Sequence, residues 1–280
     1  MDEPLGLEEV RRALNEDRAR DDVTTRLLGP AAQRGARGVF RVEEPCVVAG
    51  LPIAQLVYAE LDRTTRFEPC VADGARAAPG DVIALVHGTA ATLLAGERTT
   101  LNFLQRLSGI ASATRRAVDA VAYTGAAILD TRKTTPGLRS LEKYAVRMGG
   151  GTNHRVSLGD AVLWKDNHWK LLEASGGTLK AALAAAPQGL PVVVEVETDQ
   201  QLEAALAAGV THMLVDNQPP DRVAEWVQRV GPRVAIEASG GITPETARAY
   251  ANAGARYISM GALTHSAAAV GIGFEIDLSE

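Results

Sequence analysis

The sequence predicts an α/β protein in which a compact α+β unit precedes an α/β unit of parallel strands. Three observations carry this. Short β-type runs split by turns fill the first third, apolar runs and helical segments alternate from about residue 127, and polar residues recur where those later runs end.

Leu7, Val10 and Leu14 repeat at helical spacing, and Asp21-Asp22-Val23-Thr24-Thr25 breaks that pattern with turn and cap residues. Val39–Val42, Cys46–Ala49 and Val82–Val86 read as strands, separated by Gly50-Leu51-Pro52, Asp73-Gly74 and Pro79-Gly80-Asp81. A long helical stretch follows from about Thr89 to Val121, with an interruption expected near Ser108-Gly109. Beyond it, strands are expected at Ala127–Asp130, Ala161–Lys165, Val192–Val196, Met213–Asp216, Val234–Glu237 and Tyr257–Met260. Helices are expected over 138–148, 178–186, 199–208, 220–229 and 244–253. Asp130, Lys165, Glu195, Asp216, Glu237 and Ser239 fall at or just past strand ends, the rim where an α/β barrel builds its active site.

Composition bounds the function. With 280 residues and 46% hydrophobic content, the chain buries a full core in one large domain or two unequal ones. A net charge of -5 argues against nucleic acid as partner, and no apolar stretch approaches the roughly 20 residues of a membrane span. The opening Met1-Asp2-Glu3-Pro4 has no leader pattern, and Cys46 and Cys70 read as reduced thiols without metal spacing, so a cytoplasmic location is expected.

Against this acidic background, residues 132 to 170 hold Arg132, Lys133, Arg139, Lys143, Arg147, Arg155, Lys165 and Lys170, with only Glu142, Asp160 and Asp166 opposing them. Arg139, Lys143 and Arg147 recur every four residues and read as a solvated helix stripe with Glu142 beside them. Arg132-Lys133 and Lys165 lie instead where buried strands surface, which points to a small, highly charged anion. Gly149-Gly150-Gly151, Ser239-Gly240-Gly241 and Gly261 add backbone N–H groups that approach phosphates closely, with Thr243 and Pro244 opening a helix after the second group. A glycine pair after a strand is by itself more often an ordinary tight turn; the lysines beside it raise its weight.

The motifs Thr131–Arg139, Glu142–Val146, Gly149–Arg155 and Lys165–His168 resemble the successive signatures of the nicotinate-nucleotide pyrophosphorylase (carboxylating), or quinolinate phosphoribosyltransferase, family. Glu97–Asn102, Leu107–Ala111, Glu195-Val196-Glu197, Val215-Asp216-Asn217, Glu237–Ile242 and Gly261–Ser266 continue the resemblance in order, from Asp22–Thr25 onward. Each motif is weak alone; their order and spacing are specific.

The resemblance implies an N-terminal α+β sandwich-like domain over 1–104, joined by the C-terminal segment 266–280, and an incomplete parallel α/β barrel over 105–265. It implies quinolinate and 5-phosphoribosyl 1-pyrophosphate as substrates, with nicotinate mononucleotide, pyrophosphate and carbon dioxide as products in NAD biosynthesis. Arg132, His154, Arg155 and Lys165 would line the quinolinate pocket, with Arg98 reaching in from the neighbouring subunit of a homodimer. Lys133, Ser239, Gly240, Gly241, Gly261 and His265 would hold phosphates. Glu195 and Asp216 would face the ribose hydroxyls and the Mg²⁺ that accompanies the pyrophosphate. Lys133, Lys165, Glu195 and Asp216 would be the catalytic groups. Arginine suits the carboxylates because its planar fork donates two parallel, charge-assisted hydrogen bonds.

Other residues read as supports. Asp166 is expected to orient Lys165, Glu97 to support Arg98, Glu142 to pair with Arg139 or Arg147, and Trp226 to pack an amphipathic helix. His168 reads as a loop histidine, His87 and His212 as structural. Trp164 stands where the family has a small aliphatic residue, and Ser157 replaces a usual glycine; both are expected near the pyridine pocket and leave open a paralogue for another pyridine carboxylate. The run Ser266–Ile272 also lacks the family's usual Leu-Asp. Two further alternatives remain: a Schiff-base enzyme using Lys165 on a sugar phosphate, and an accessory protein of the related molybdenum-transport family.

Overall fold

The computed structural model describes residues 4–277, so Met1–Glu3 and Leu278–Glu280, the ends of the two expected N-terminal-domain segments, lie outside the described residues. The chain divides into two compact units. One runs up to Arg115 and includes Thr134–Gly150 and the chain from Leu263; the other is Arg116–Lys133 with Gly151–Ala262.

The first unit is built on an antiparallel sheet ordered Ile272–Asp277, Gly35–Val42, Val82–Thr89, Arg66–Pro69. Phe40 sits opposite Phe274 on one side and Ala84 on the other, and its fully buried ring lies 4.8 Å from that of Phe274. Tyr58 and Phe67 complete an aromatic centre around it. Tyr58 comes from a helix, Leu51–Leu61, in a region expected to be only a separator. Pro52 looked like a breaker, but in the first turn its missing N–H has no helical partner to lose, so it starts a helix as readily as it ends one.

The expected interruption near Ser108-Gly109 is also absent: the helix runs unbroken from Ala90 to Ala120. Gly109 serves close approach instead. A Cβ there would meet the Ala268 carbonyl oxygen at 2.0 Å, so only glycine lets the C-terminal segment lie against this helix. Ser108 is fully buried and exchanges hydrogen bonds with the Ala49 backbone.

The helix Arg139–Met148 corrects a third expectation. Lys143 is 2% exposed and Glu142 fully buried, so no solvated stripe runs through them. Glu142 pairs with Arg106 at 2.8 Å and accepts from the Thr135 hydroxyl and backbone.

The second unit holds six parallel strands in the order Ala127–Leu129, Tyr257–Ser259, Ala235–Ser239, His212–Asp216, Val192–Val196, Val162–Trp164. Each lies within two residues of its expected bounds at either end. No pairing joins Ala127–Leu129 to Val162–Trp164 among the described residues, which leaves the barrel incomplete. Helices Asp199–Ala207, Pro220–Val230 and Pro244–Asn252 follow successive strands. Thr198 caps the first through the Gln201 N–H, and Trp226 packs the second, fully buried, with its indole N–H on Asp199. The helix Asp166–Ala174, unforeseen, begins directly after Lys165.

Register fixes what faces inward. Glu195 and Glu237 both pair with Leu214, Ser239 pairs with Asp216, and Ala235 with His212. Because side chains alternate along a strand, these residues form stacked rows on one face.

Candidate active site

At the carboxyl ends of these strands lies a cavity of about 280 Å³. Its wall takes Thr131, Arg132 and Lys133 from the loop after the first strand, His154 and Arg155 from the loop before the second, and Leu163 and Lys165 from that strand's end. Glu195, Leu214, Asp216, Glu237, Ser239 and Ser259 complete it.

The cations are held from below. Lys165 Nζ lies 2.7 Å from Glu195, a carboxylate 5% exposed whose backbone oxygen also accepts from the Trp169 indole. Lys165 is thus oriented by Glu195; Asp166, expected in that role, ion-pairs with Lys170 at 3.5 Å along its own helix. His168 is no idle loop residue: at the third position of that helix its Nδ1 accepts from the Lys165 backbone N–H, fixing the turn that presents the lysine.

Arg155 donates through Nη1 to the Ala161 carbonyl, while its Nε is buried with no partner. Burial and then the nearby charge of Arg132 pull its guanidinium below the ordinary arginine range, partly offset by Asp160. Two cations so close, one of them partly desolvated, are poised for an anion between them. Asp130, fully buried, fixes the loop that carries them: it accepts from the Asn153 amide and from the His154 backbone N–H at 2.8 Å.

The oxygens of Glu195, Glu197 and Asp216 converge within 4.8 Å of one another. Gly240, at φ +95°, leaves no room for a side chain, since a Cβ would meet the Asn217 amide oxygen at 2.2 Å. Its backbone conformation and closeness to the Asp216–Asn217 turn both demand glycine.

Comparison with known proteins follows the same residues. Models for the N-terminal and C-terminal domains of quinolinate phosphoribosyl transferase match residues 22–108 and 110–275. A nicotinate-nucleotide pyrophosphorylase [carboxylating] of Mycobacterium leprae is 44% identical over 273 residues, covering 95% of both chains. A probable enzyme of that name from Bacillus subtilis is 45% identical over 236 residues, covering 83% of this chain and 81% of its own. Among solved structures, NadC from Streptococcus pyogenes superposes with a TM-score of 0.90 at 36% identity, covering 99% of each chain. The chain belongs to the quinolinate phosphoribosyltransferase family.

Of the residues expected from this family's pattern, the cavity brings together Arg132, Lys133, His154, Arg155, Lys165, Glu195, Asp216 and Ser239. Gly240, Gly241 and Gly261 belong to the same unit but do not line it, whereas Arg98, exposed on its helix, and His265 belong to the first unit. Thr131, Leu163, Leu214 and Ser259 were not foreseen; register with Glu195 and Asp216 was the signal that could have found Leu214. Of the departures from the family pattern, Trp164 stands between the lining residues Leu163 and Lys165 and Ser157 two residues after Arg155, and neither itself lines the cavity. Trp164 packs its ring against His168 and Trp169, and Ser157 is exposed, with its hydroxyl on Asp160 at 2.7 Å.

Proposed function

We infer that this chain is a quinolinate phosphoribosyltransferase, joining quinolinate to 5-phosphoribosyl 1-pyrophosphate and releasing pyrophosphate and carbon dioxide to give nicotinate mononucleotide for NAD biosynthesis. The observation that carries the reading is the set of cations Arg132, Lys133, Arg155 and Lys165, brought from separate segments onto one cavity. Quinolinate has two adjacent carboxylates, and the cosubstrate a monophosphate and a pyrophosphate. A site for both must offset several negative charges at once.

In this reading Arg132, Arg155 and Lys165 hold the quinolinate carboxylates, His154 lines the pocket beside them, and Lys133 and Ser239 face phosphate. The pyridine nitrogen attacks the anomeric carbon as the bond to pyrophosphate breaks. Positive charge spreading over the ribose is stabilised by Glu195 and Asp216 without a covalent bond to the protein. The pyridinium then accepts the electron pair left as the adjacent carboxylate departs as carbon dioxide, and the carbanion takes a proton. The protein's share is placement and charge neutralisation. An all-oxygen cluster of Glu195, Glu197 and Asp216 suits Mg²⁺, which would supply further charge neutralisation at the pyrophosphate.

The deciding assay supplies quinolinate, phosphoribosyl pyrophosphate and Mg²⁺ and follows carbon dioxide and nicotinate mononucleotide. Turnover of both products supports the reading, and absence of carbon dioxide release overturns it. A Schiff-base role for Lys165 is disfavoured by its 2.7 Å pairing with Glu195, which engages the amine.

The homodimer, with Arg98 completing the partner's site, remains our proposal, supported by the family resemblance and by the exposure of Arg98. Mixing an Arg98→Ala protein with a Lys165→Ala protein should restore partial activity on subunit exchange; verified exchange without activity would remove it. The domain division at 104/105 is supported by the family models meeting between residues 108 and 110, and the joining of 266–280 to the first part by the compact unit that takes in the chain from Leu263. A cytoplasmic location is supported by the free thiols Cys46 and Cys70. Among the described residues no helix is long and apolar enough to cross a membrane.

A further inference from the structure

The floor of the cavity holds a buried carboxylate to which the reaction as described assigns no task. Glu237 is fully buried, yet lines the cavity beneath the rim. Its Oε2 lies 2.8 Å from His212 Nε2 and 3.7 Å from His154 Nε2, while its Oε1 has no hydrogen-bond partner. A carboxylate in such a place is costly unless polar partners satisfy it. The two imidazoles face it, one from each end.

His154 belongs to the cavity wall. Its Nδ1 accepts from the Arg155 backbone N–H at 2.7 Å, so in the neutral ring the proton sits on Nε2, the nitrogen turned toward Glu237. His212 opens its strand at the amino end, keeps about a quarter of its side chain exposed, and rests its ring 5.1 Å from that of Tyr257. A polar line therefore runs through the second unit, from His212 through Glu237 to His154.

We propose that Glu237 is a positioning residue for His154, holding the imidazole with Nε2–H directed at the carboxylate, while His212 anchors the carboxylate from the other side. The consequence is specific. With Nδ1 bonded to the Arg155 backbone and Nε2 facing the carboxylate at 3.7 Å, His154 meets quinolinate as an oriented cavity wall beside Arg155, not as a proton donor free to turn. Loss of Glu237 therefore loosens quinolinate more than it slows the chemical steps. The kinetic part rests on the quinolinate reading of this cavity; the geometric part does not.

Two measurements on the full-length protein test it. In ligand-free protein labelled with ¹⁵N-histidine, ring spectra at a pH above the imidazole range should show His154 as the Nε2–H form, and Glu237→Leu should replace that signature with exchange between forms. In steady-state kinetics with saturating phosphoribosyl pyrophosphate, Glu237→Gln should raise the quinolinate KM about tenfold, which corresponds to about 1.4 kcal/mol of lost charge interaction. In the same variant kcat should change by less than about threefold, the split expected when ground-state and transition-state binding are lost together. Glu237→Leu should raise KM further, and His212→Phe, which keeps a ring beside Tyr257 but removes the donor, should move it the same way by less.

An unchanged quinolinate KM in both Glu237 variants, or a His154 ring signature in Glu237→Leu identical to the wild type, overturns the proposal. If Glu237→Leu does not fold, Glu237→Gln and His212→Phe decide by the same readouts. If the wild-type protein itself does not turn over quinolinate, the functional reading falls and the ring spectra still decide the positioning role.

Discussion

Glu142 in the first unit and Glu237 in the second are both fully buried carboxylates, and they are satisfied to different degrees. Glu142 spends both oxygens: Oε1 accepts from Arg106 and the Thr135 hydroxyl, and Oε2 from the Thr135 backbone N–H. Arg106 in turn donates to the Ala267 and Thr264 carbonyls. Glu237 turns one oxygen to two histidines, at 2.8 and 3.7 Å, and leaves the other buried without a hydrogen-bond partner in the cavity floor. Neutral orphans such as the buried Tyr58 hydroxyl also occur, so the distinction lies in charge. A closed ionic network holds a fold together, and an open one faces a space meant to be filled. The cations repeat the contrast, since Arg106 is used by its own chain while Arg155 keeps a buried Nε in reserve.

The sharpest way to break this contrast is to remove the reserve. Arg155→Ala should leave the opposing substrate carboxylate without its partner, at a cost of about 2–5 kcal/mol in kcat/KM for quinolinate. Near-normal turnover in that variant would sink the assignment of Arg155. Glu142→Gln should come next in size and act on stability. It sets an amide NH₂ against a donor that Glu142 now accepts from, costing about 1–3 kcal/mol of unfolding free energy in denaturant titration. Glu237→Gln, measured the same way, should cost less than Glu142→Gln, because one of its two oxygens has no bond to lose. Equal losses at the two positions would erase the distinction between closed and open networks.

Much of this was legible in the sequence, and the gaps have physical causes. The six parallel strands could be located because an apolar run ending in a polar residue records burial along the strand and exposure at the rim. The cations that meet in the cavity could be named because their motifs kept order and spacing. What one dimension hides is contact between distant segments. Nothing around Gly109 announces that Ala268 needs the space of a side chain there, so the glycine read as a break. Lys143 carried a charge at helical spacing and read as solvated, although it is buried beside a carboxylate bound by Arg106. His212 lacked any motif, and only its register two residues before Leu214 places it on the face that Glu237 shares.

A third carboxylate sharpens the comparison from the exposed side. Asp160 accepts from the Ser157 hydroxyl and from the backbone N–H groups of Ser157 and Val156, closing the loop that follows Arg155. These bonds, the Ser157 hydroxyl foremost, hold its carboxyl below the ordinary aspartate value. A carboxyl depressed in the folded state stabilises it above the unfolded value, and that contribution is lost as pH falls through the folded one. Ser157→Gly, which restores the residue usual in the family, removes the leading cause and lets the Asp160 carboxyl rise toward its ordinary value. The loop should then loosen at a higher pH on acidification than in the wild type, visible as an earlier acid-side change in amide signals of residues 156–160. Quinolinate KM at neutral pH should move by less than about twofold, the scale of an exposed substitution away from a site. A larger change in KM would mean that this satisfied, exposed carboxylate reaches the cavity after all, and that closure of a network does not by itself separate scaffold from site.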